Sequence, residues 1–237
     1  MKKKLKALLL CAGIGSRLKP VTNKKPKCLV EIGGQVLLGI WLKELERIGV
    51  QEVLINTHHL ADQVNLFVNK WKSKSLKIFT IYEKNLLGTA GTLISNKKFF
   101  EDSTCLFLHA DNFTEYDMNL LLEAHKNRGK ECILTMLTFK SSEPENCGVV
   151  EINDNSIVIG FHEKVKNPPT NIANGAIFVF ESEFINKLNY LIPKPFDFSK
   201  DVIPQFLGKI QSCYTSAVFI DIGTPKNLEL ANTNSFN

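Results

Sequence analysis

The chain has 237 residues, 44% of them hydrophobic and 22% charged, with 14 Gly and 9 Pro, which excludes collagen-like, low-complexity and disordered chains. A chain of this length can bury most of the surface of its unfolded state, so a single domain over residues 1–237 is expected, with two small domains as the alternative. The formal charge of +5 is modest and scattered, and suits an anionic small molecule as well as nucleic acid.

Short apolar runs alternate with amphipathic stretches along the first half. Ala7 to Cys11 reads as a buried strand. Leu37 to Ile48 places Leu38, Trp41, Leu42, Leu45 and Ile48 on one helical face, with Gly49 as a stop. Glu52 to Asn56 reads as strand, Leu60 to Trp71 as helix and Lys77 to Tyr82 as strand. A helix opens near Thr89, followed by a strand at Cys105 to His109, a helix at Met118 to Asn127 and a strand at Cys132 to Thr138. Strands separated by helices imply βαβ units and a parallel sheet covered on both faces.

After Lys140 the pattern changes. Gly148 to Ile152, Ile157 to Glu163 and Ala173 to Phe180 read as strands, the first two joined by a turn at Asn153-Asp154-Asn155. Helical segments follow at Ser182 to Leu188 and Lys200 to Leu207, then a last strand from Tyr214 to Ile220. Pro225 opens a terminal helix at the favoured first-turn position. The later strands are expected to extend or flank the same sheet, giving an α/β fold with a mostly parallel, mixed sheet.

The six cysteines carry no CxxC pair and no zinc spacing, as expected of a protein in a reducing cytoplasm. Lys2, Lys3 and Lys4 before an apolar run imitate a leader, but Lys6 interrupts the run and the residue before Cys11 is not small. No apolar stretch reaches the ~18 residues of a membrane span, so a soluble cytoplasmic protein is expected. His58, His59 and Asp62 lack a third ligand of suitable spacing and read as loop residues, and Trp41 and Trp71 read as core.

The strongest local signal is the turn after the first strand, Leu10-Cys11-Ala12-Gly13-Ile14-Gly15-Ser16-Arg17-Leu18-Lys19-Pro20. Glycines directly after a buried strand let backbone amides approach anionic oxygens. The third glycine of a dinucleotide fingerprint is absent, since position 18 is Leu, and so is the Gly-Lys-Ser/Thr end of a Walker loop. Arg17 offers a planar fork for a di- or triphosphate, and Lys27 a mobile point charge. On spacing alone, phosphate binding and an ordinary strand-to-loop turn stay equally open.

The stretch Cys11 to Thr22 followed by Lys25-Pro-Lys-Cys-Leu-Val-Glu-Ile resembles the signature of the sugar-1-phosphate nucleotidylyltransferases, whose fold is that of the nucleotide-diphospho-sugar transferases. The resemblance continues at Leu87-Gly88-Thr89-Ala90-Gly91-Thr92, His109-Ala110-Asp111, Gly148-Val149-Val150, Glu163-Lys164, Asn174-Gly175-Ala176-Ile177-Phe178 and Ile220-Asp221-Ile222-Gly223-Thr224-Pro225. These blocks keep the family's order over nearly the whole chain. Ala110 stands where the family usually has Gly, Val165 where it usually has Pro, and no hexapeptide-repeat tail for a C-terminal β-helix is seen.

The resemblance implies transfer of a nucleotidyl group from a nucleoside triphosphate to a sugar 1-phosphate, with release of pyrophosphate. It implies Asp111 and Asp221 as Mg²⁺ ligands, with Asp111, Arg17 and Lys27 as the catalytic set. Arg17 is to grip the departing phosphates and Lys27 to neutralise the α-phosphate. Cys11, Ala12, Gly13 and Gly15 are to line the nucleotide turn, with Gly88 and Thr89 at the base. Glu163, Asn174 and Gly148 are to face the sugar hydroxyls and Lys164 its phosphate. Helix caps, a surface ion pair and a turn amide are the ordinary alternatives for Asp111 and Asp221, Glu163-Lys164 and Asn174 respectively. The Leu87–Gly91 block, Ile55-Asn56-Thr57-His58-His59-Leu60 and the Asp221–Pro225 end resemble the mannose- and heptose-1-phosphate guanylyltransferases, so GTP and a manno-configured sugar are expected. Uridylyl, thymidylyl or cytidylyl transfer stays open, as does a non-catalytic nucleotide or sugar-phosphate sensor. A nucleic-acid partner is not expected without a basic stripe. Relatives are often homo-oligomers.

Overall fold

The computed structural model describes residues 3–235. Lys2, the first basic residue of the leader-like start, lies outside them. In chain order come β1 (Lys4–Leu10), β2 (Glu31–Ile32), β3 (Gln35–Val36), α1 (Leu37–Arg47), β4 (Glu52–Thr57), α2 (Ala61–Lys70) and β5 (Lys77–Tyr82). Then follow α3 (Gly88–Ser95), β6 (Ser103–His109), β7 (Asn112–Thr114), α4 (Met118–Lys126), β8 (Leu134–Lys140) and β9 (Gly148–Ile152). The rest are β10 (Val158–Glu163), β11 (Ile172–Glu181), α5 (Ser182–Leu188), β12 (Ile210–Thr215), β13 (Phe219–Asp221) and α6 (Pro225–Asn234).

These elements group into two compact units. One holds Leu5–Leu86, Leu108–Tyr116 and the chain from Ala217 onward; the other holds Leu87–Phe107 and Asp117–Ser216, together with Lys3 and Lys4. In the first, β1, β4 and β5 pair in that order and all parallel, with Leu10 opposite Asn56 and Thr57 opposite Tyr82. The run Ala7-Leu8-Leu9 is fully buried, as the central strand of a parallel sheet requires. Helix α1 buries Leu38, Trp41, Leu42 and Leu45, and the Trp41 indole donates to the Asn112 carbonyl at 2.9 Å. Trp41 is core as expected; Trp71 is half-buried, its ring over Gly39.

β7 and β13 form a separate antiparallel pair in this unit, with Asn112 opposite Asp221. Its placement was not visible in the sequence pattern, which reads Tyr214 to Ile220 as one strand. The structure divides that stretch: β12 runs parallel to β8, and β13 starts again at Phe219 against β7. The two halves serve different partners, which apolar composition does not reveal.

In the second unit the strand order is β10, β9, β11, β6, and β8 pairs antiparallel with β11 and parallel with β12. The later strands therefore join the earlier β6 and β8, as expected, although mostly antiparallel. The core is an aromatic cluster in which Phe198 lies 4.8 Å from Phe107 and 4.7 Å from Phe178 by ring centroid. The expected helix at Lys200 to Leu207 is instead one π-type turn (Phe198–Val202) and one 3₁₀ turn (Ile203–Phe206). Pro204 removes the amide that a continuing α-helix needs.

Candidate active site

The first unit holds the glycine turn together with Lys27, Asp111 and Asp221. Gly15 has φ +66°, and a Cβ there would stand 2.7 Å from the Thr22 methyl group, so the turn requires glycine twice over. The buried Thr22 hydroxyl donates to the Gly15 carbonyl at 2.8 Å and fixes the turn from inside. Space is open where a Cβ at Gly13 would sit. Leu10, Cys11, Gly13, Lys27, Cys28 and Asp111 line one small cleft. Ala12 is buried beside it.

Lys27 is the hinge of the charge arrangement. Its side chain is 10% exposed, and its ammonium donates to Asp111 Oδ2 at 2.6 Å and to Asp221 Oδ1 at 3.2 Å. Arg17, mostly exposed, meets the other Asp221 oxygen at 3.5 Å. Strand register brings the carboxylates together: Asp221 pairs with Asn112, and the Asp111 carbonyl accepts the Ile222 amide at 2.9 Å. Burial favours the neutral carboxyl of Asp111, but Lys27 and His109 outweigh it and hold the acid below its ordinary value. Burial likewise disfavours the Lys27 cation, and the two carboxylates overcome this and raise it. Both groups are therefore charged at neutral pH, and the cation and the anions stabilise one another.

Asn56 and Glu83 were not singled out as site residues in the sequence. Asn56, at the end of β4, accepts the Cys11 amide on Oδ1 at 2.8 Å and donates from Nδ2 to Glu83 Oε1 at 3.0 Å. Both side chains are buried, so the amide at the start of the glycine turn is held by a dry polar chain. A polar residue ending an apolar strand beside the glycine turn was the available signal for Asn56; Glu83 carried none. His58 and His59 bond the Glu83 and Thr22 backbone carbonyls, both at 2.8 Å, in keeping with loop roles.

The second unit holds the remaining expected residues. Gly88 opens α3 with φ +75°. A Cβ there would collide with the Phe196 carbonyl and would stand 2.7 Å from its ring. The Thr89 hydroxyl accepts the Phe198 amide at 2.6 Å. Gly148 and Glu163 face each other across β9 and β10, and a Cβ at 148 would stand 2.6 Å from the Glu163 carboxylate. Lys164 follows in a left-handed conformation, φ +52°, with its amide on the Cys147 carbonyl at 3.0 Å and its ammonium 3.5 Å from Glu163. Asn174 sits where β11 breaks register, its carbonyl oxygen accepting the Ala176 amide at 2.8 Å and its amide donating to Ser199 Oγ at 3.4 Å. Gly148, Glu163 and Lys164 thus form one group, and Asn174 follows Ala173, which pairs with Val149.

A family model described as nucleotidyl transferase matches residues 6–236. The chain is similar to the mannose-1-phosphate guanylyltransferase catalytic subunit beta of Drosophila melanogaster, at 31% identity over 94% of this chain and 60% of that protein. The protein of the same name from Dictyostelium discoideum is 28% identical over 94% of this chain and 62% of its own length. The chain therefore spans about 60% of the length of these curated relatives. The crystal structure of HddC from Yersinia pseudotuberculosis complexed with GMP-PN superposes with a TM-score of 0.79 at 27% identity, covering 96% of this chain and 98% of that one. The expected fold is thereby borne out.

Proposed function

Because the chain belongs to the nucleotidyl transferase family, we propose that it transfers a guanylyl group from GTP to a manno-configured hexose or heptose 1-phosphate, giving GDP-sugar and pyrophosphate. The observation that carries the reading is Lys27 held between Asp111 and Asp221 beneath a glycine turn, with Arg17 on the second carboxylate. The family match runs unbroken through both units, which supports reading them as one catalytic domain. GTP as donor is supported by relatives named for guanylyl transfer and by the GMP-PN bound to HddC.

The reaction is in-line attack of a sugar phosphate oxygen on the α-phosphorus. The bond from that phosphorus to the bridging oxygen breaks, and pyrophosphate carries the electron pair away. Positioning and charge neutralisation therefore supply most of the rate. Lys27 is nearly buried and charged, and once a cation takes over the two carboxylates its ammonium is free to meet the negative charge developing at the α-phosphate. Arg17, exposed and planar, turns from Asp221 to the leaving phosphates. Open space at Gly13 leaves the turn's backbone accessible to phosphate oxygens.

The donor set fits Mg²⁺. Two carboxylate oxygens converge within 3.2 Å of one ammonium, and no third His, Cys, Asp or Glu joins them among the described residues. An ion held by one or two carboxylates, with waters and substrate phosphates filling the rest, is the usual arrangement for magnesium. Asp111 and Asp221 would hold it, and its charge would offset that of the phosphates it touches.

In the second unit Gly88 and Thr89 are assigned to the base, Gly148, Glu163 and Asn174 to the sugar hydroxyls and Lys164 to the sugar phosphate. A cytoplasmic location fits six free cysteines and no membrane-length apolar helix among the described residues. Pyrophosphate release over four nucleoside triphosphates and a panel of sugar 1-phosphates tests the reading. Turnover fastest with GTP and a manno-configured acceptor is expected; equal rates with UTP, CTP or dTTP overturn the base assignment.

A further inference from the structure

The segment Phe196–Asp201 belongs to none of the blocks that carry the resemblance, yet it is built onto the start of α3. Its fixed point is Phe198, buried in the aromatic cluster with Phe107 and Phe178. From there the backbone reaches in both directions. The Phe198 amide donates to the Thr89 hydroxyl, and the Phe196 carbonyl accepts the Ala90 amide at 3.0 Å, satisfying an amide of the first turn of α3. The Phe196 ring lies against Gly88, where no Cβ has room, and is 58% exposed.

One carboxylate fixes this geometry. Asp201 Oδ2 accepts the amides of Phe196 and Asp197, both at 2.8 Å, and Asp197 Oδ1 accepts the Lys200 amide at 3.0 Å. Two N–H donors on one side-chain oxygen form a directional clamp. The clamp sets where the Phe196 carbonyl points, and the carbonyl sets the first turn of α3. Phe196 thereby closes one side of the Gly88 backbone.

We propose that Asp201 is a positioning residue for nucleotide recognition, holding Phe196 as a brace that fixes the backbone of Gly88 and Thr89. The inference rests on the assignment of Gly88 and Thr89 to the base and deepens it. Asp201 touches no substrate and acts through Phe196. Its removal leaves the phosphate-handling residues of the other unit as they are, so the effect falls on nucleotide affinity and base selectivity rather than on the chemical step.

The test compares the full chain with Asp201→Ala, Asp201→Asn and Phe196→Ala, by steady-state kinetics and by calorimetric titration with GTP and UTP. Asp201→Ala is expected to raise KM and Kd for GTP by about tenfold and to narrow the GTP/UTP ratio, with kcat at saturating substrates and the sugar 1-phosphate KM within about threefold of the parent. Asp201→Asn keeps an oxygen acceptor and is expected to recover most of the loss. Phe196→Ala, a half-exposed site, should reproduce the pattern even if Asp201→Ala does not fold. Unchanged GTP affinity in both Asp201→Ala and Phe196→Ala, a fall in kcat alone, or equal rises in both KM values overturns the proposal. If the parent binds GTP but transfers nothing, the catalytic reading fails while the Kd values still decide the brace. If it binds no nucleotide, both fall.

Discussion

Asp111 and Asp221 are neighbours through strand register: the Asp111 carbonyl accepts the Ile222 amide at 2.9 Å, while Asp221 pairs with Asn112 across β7 and β13. The backbone thus holds two like charges together, and the Lys27 ammonium bridging them makes the arrangement stable. A site so built tolerates loss of one carboxylate charge without unfolding. Asp111→Asn is isosteric and keeps the strand pairing, so the thermal midpoint is expected to stay within a few degrees. Turnover should fall at least ~10²-fold, the scale of losing one transition-state electrostatic contact. Pyrophosphate release by this variant at parental rates would remove Asp111 from the mechanism.

Lys27 competes with any cation for the same two carboxylates. Lys27→Met removes that competitor and the charge meant for the α-phosphate in one step. Turnover is expected to fall by about 10²-fold or more, while the rise in melting temperature on adding Mg²⁺ becomes larger than in the parent. Lys27→Arg should not restore activity, because a planar guanidinium does not fit a tight two-carboxylate seat shaped for a point charge. Pyrophosphate release by the three proteins reads the first effect, and paired thermal scans with and without Mg²⁺ read the second.

Asn56 gives a test of the glycine turn that leaves the charged residues alone. Replacing it with Ala removes the acceptor for the Cys11 amide and the donor to Glu83 in a buried place, and should cost about 1–3 kcal/mol in urea unfolding. Asn56→Asp sets a second carboxylate against Glu83 Oε1. That variant should be less stable than the parent at pH 7, and the gap should narrow toward pH 5 as one carboxyl of the pair takes up a proton. A gap that widens on acidification would mean that the two oxygens do not face each other.

The parts of the fold that the sequence made legible are those in which one local rule decides. Ala7-Leu8-Leu9 is apolar on both faces and became a central parallel strand, and the stripe from Leu38 to Leu45 became the buried face of α1. What stayed hidden depended on partners far away in the chain. No local feature of Asn112 to Thr114 says that it pairs with Phe219 to Asp221, and the apolar run from Tyr214 to Ile220 conceals a change of partner. Among the charged residues, Arg17, Lys27, Asp111 and Asp221 were legible as a set because the motif blocks name them. Glu83 and Asp201 were not, because each works by holding backbone or an amide rather than by belonging to a motif.

A buried histidine and the partly exposed carboxylate beside it in the second unit make stability fall on acidification. His125 is buried, with Nδ1 bonded to Thr135 Oγ1 at 2.9 Å and Nε2 3.5 Å from Glu181, and burial lowers its pKa. Glu181 also meets Lys3 at 3.0 Å, and His125 and Lys3 hold its carboxyl down at about 2. Both folded-state values lie below those of the unfolded chain, so the unfolded state binds more protons as pH falls. Each contribution is complete above the group's unfolded value and is lost on acidification: first for His125, as pH drops below about 6.5, then for Glu181 between about 4.5 and 2. Glu181→Gln should therefore cost about 1–2 kcal/mol at pH 7, less than the full shift implies because the carboxylate is partly solvated, and the difference from the parent should shrink as pH falls toward 2. Urea midpoints measured from pH 7 to pH 3 check this, and a difference independent of pH would show that Glu181 is held by packing rather than by its charge.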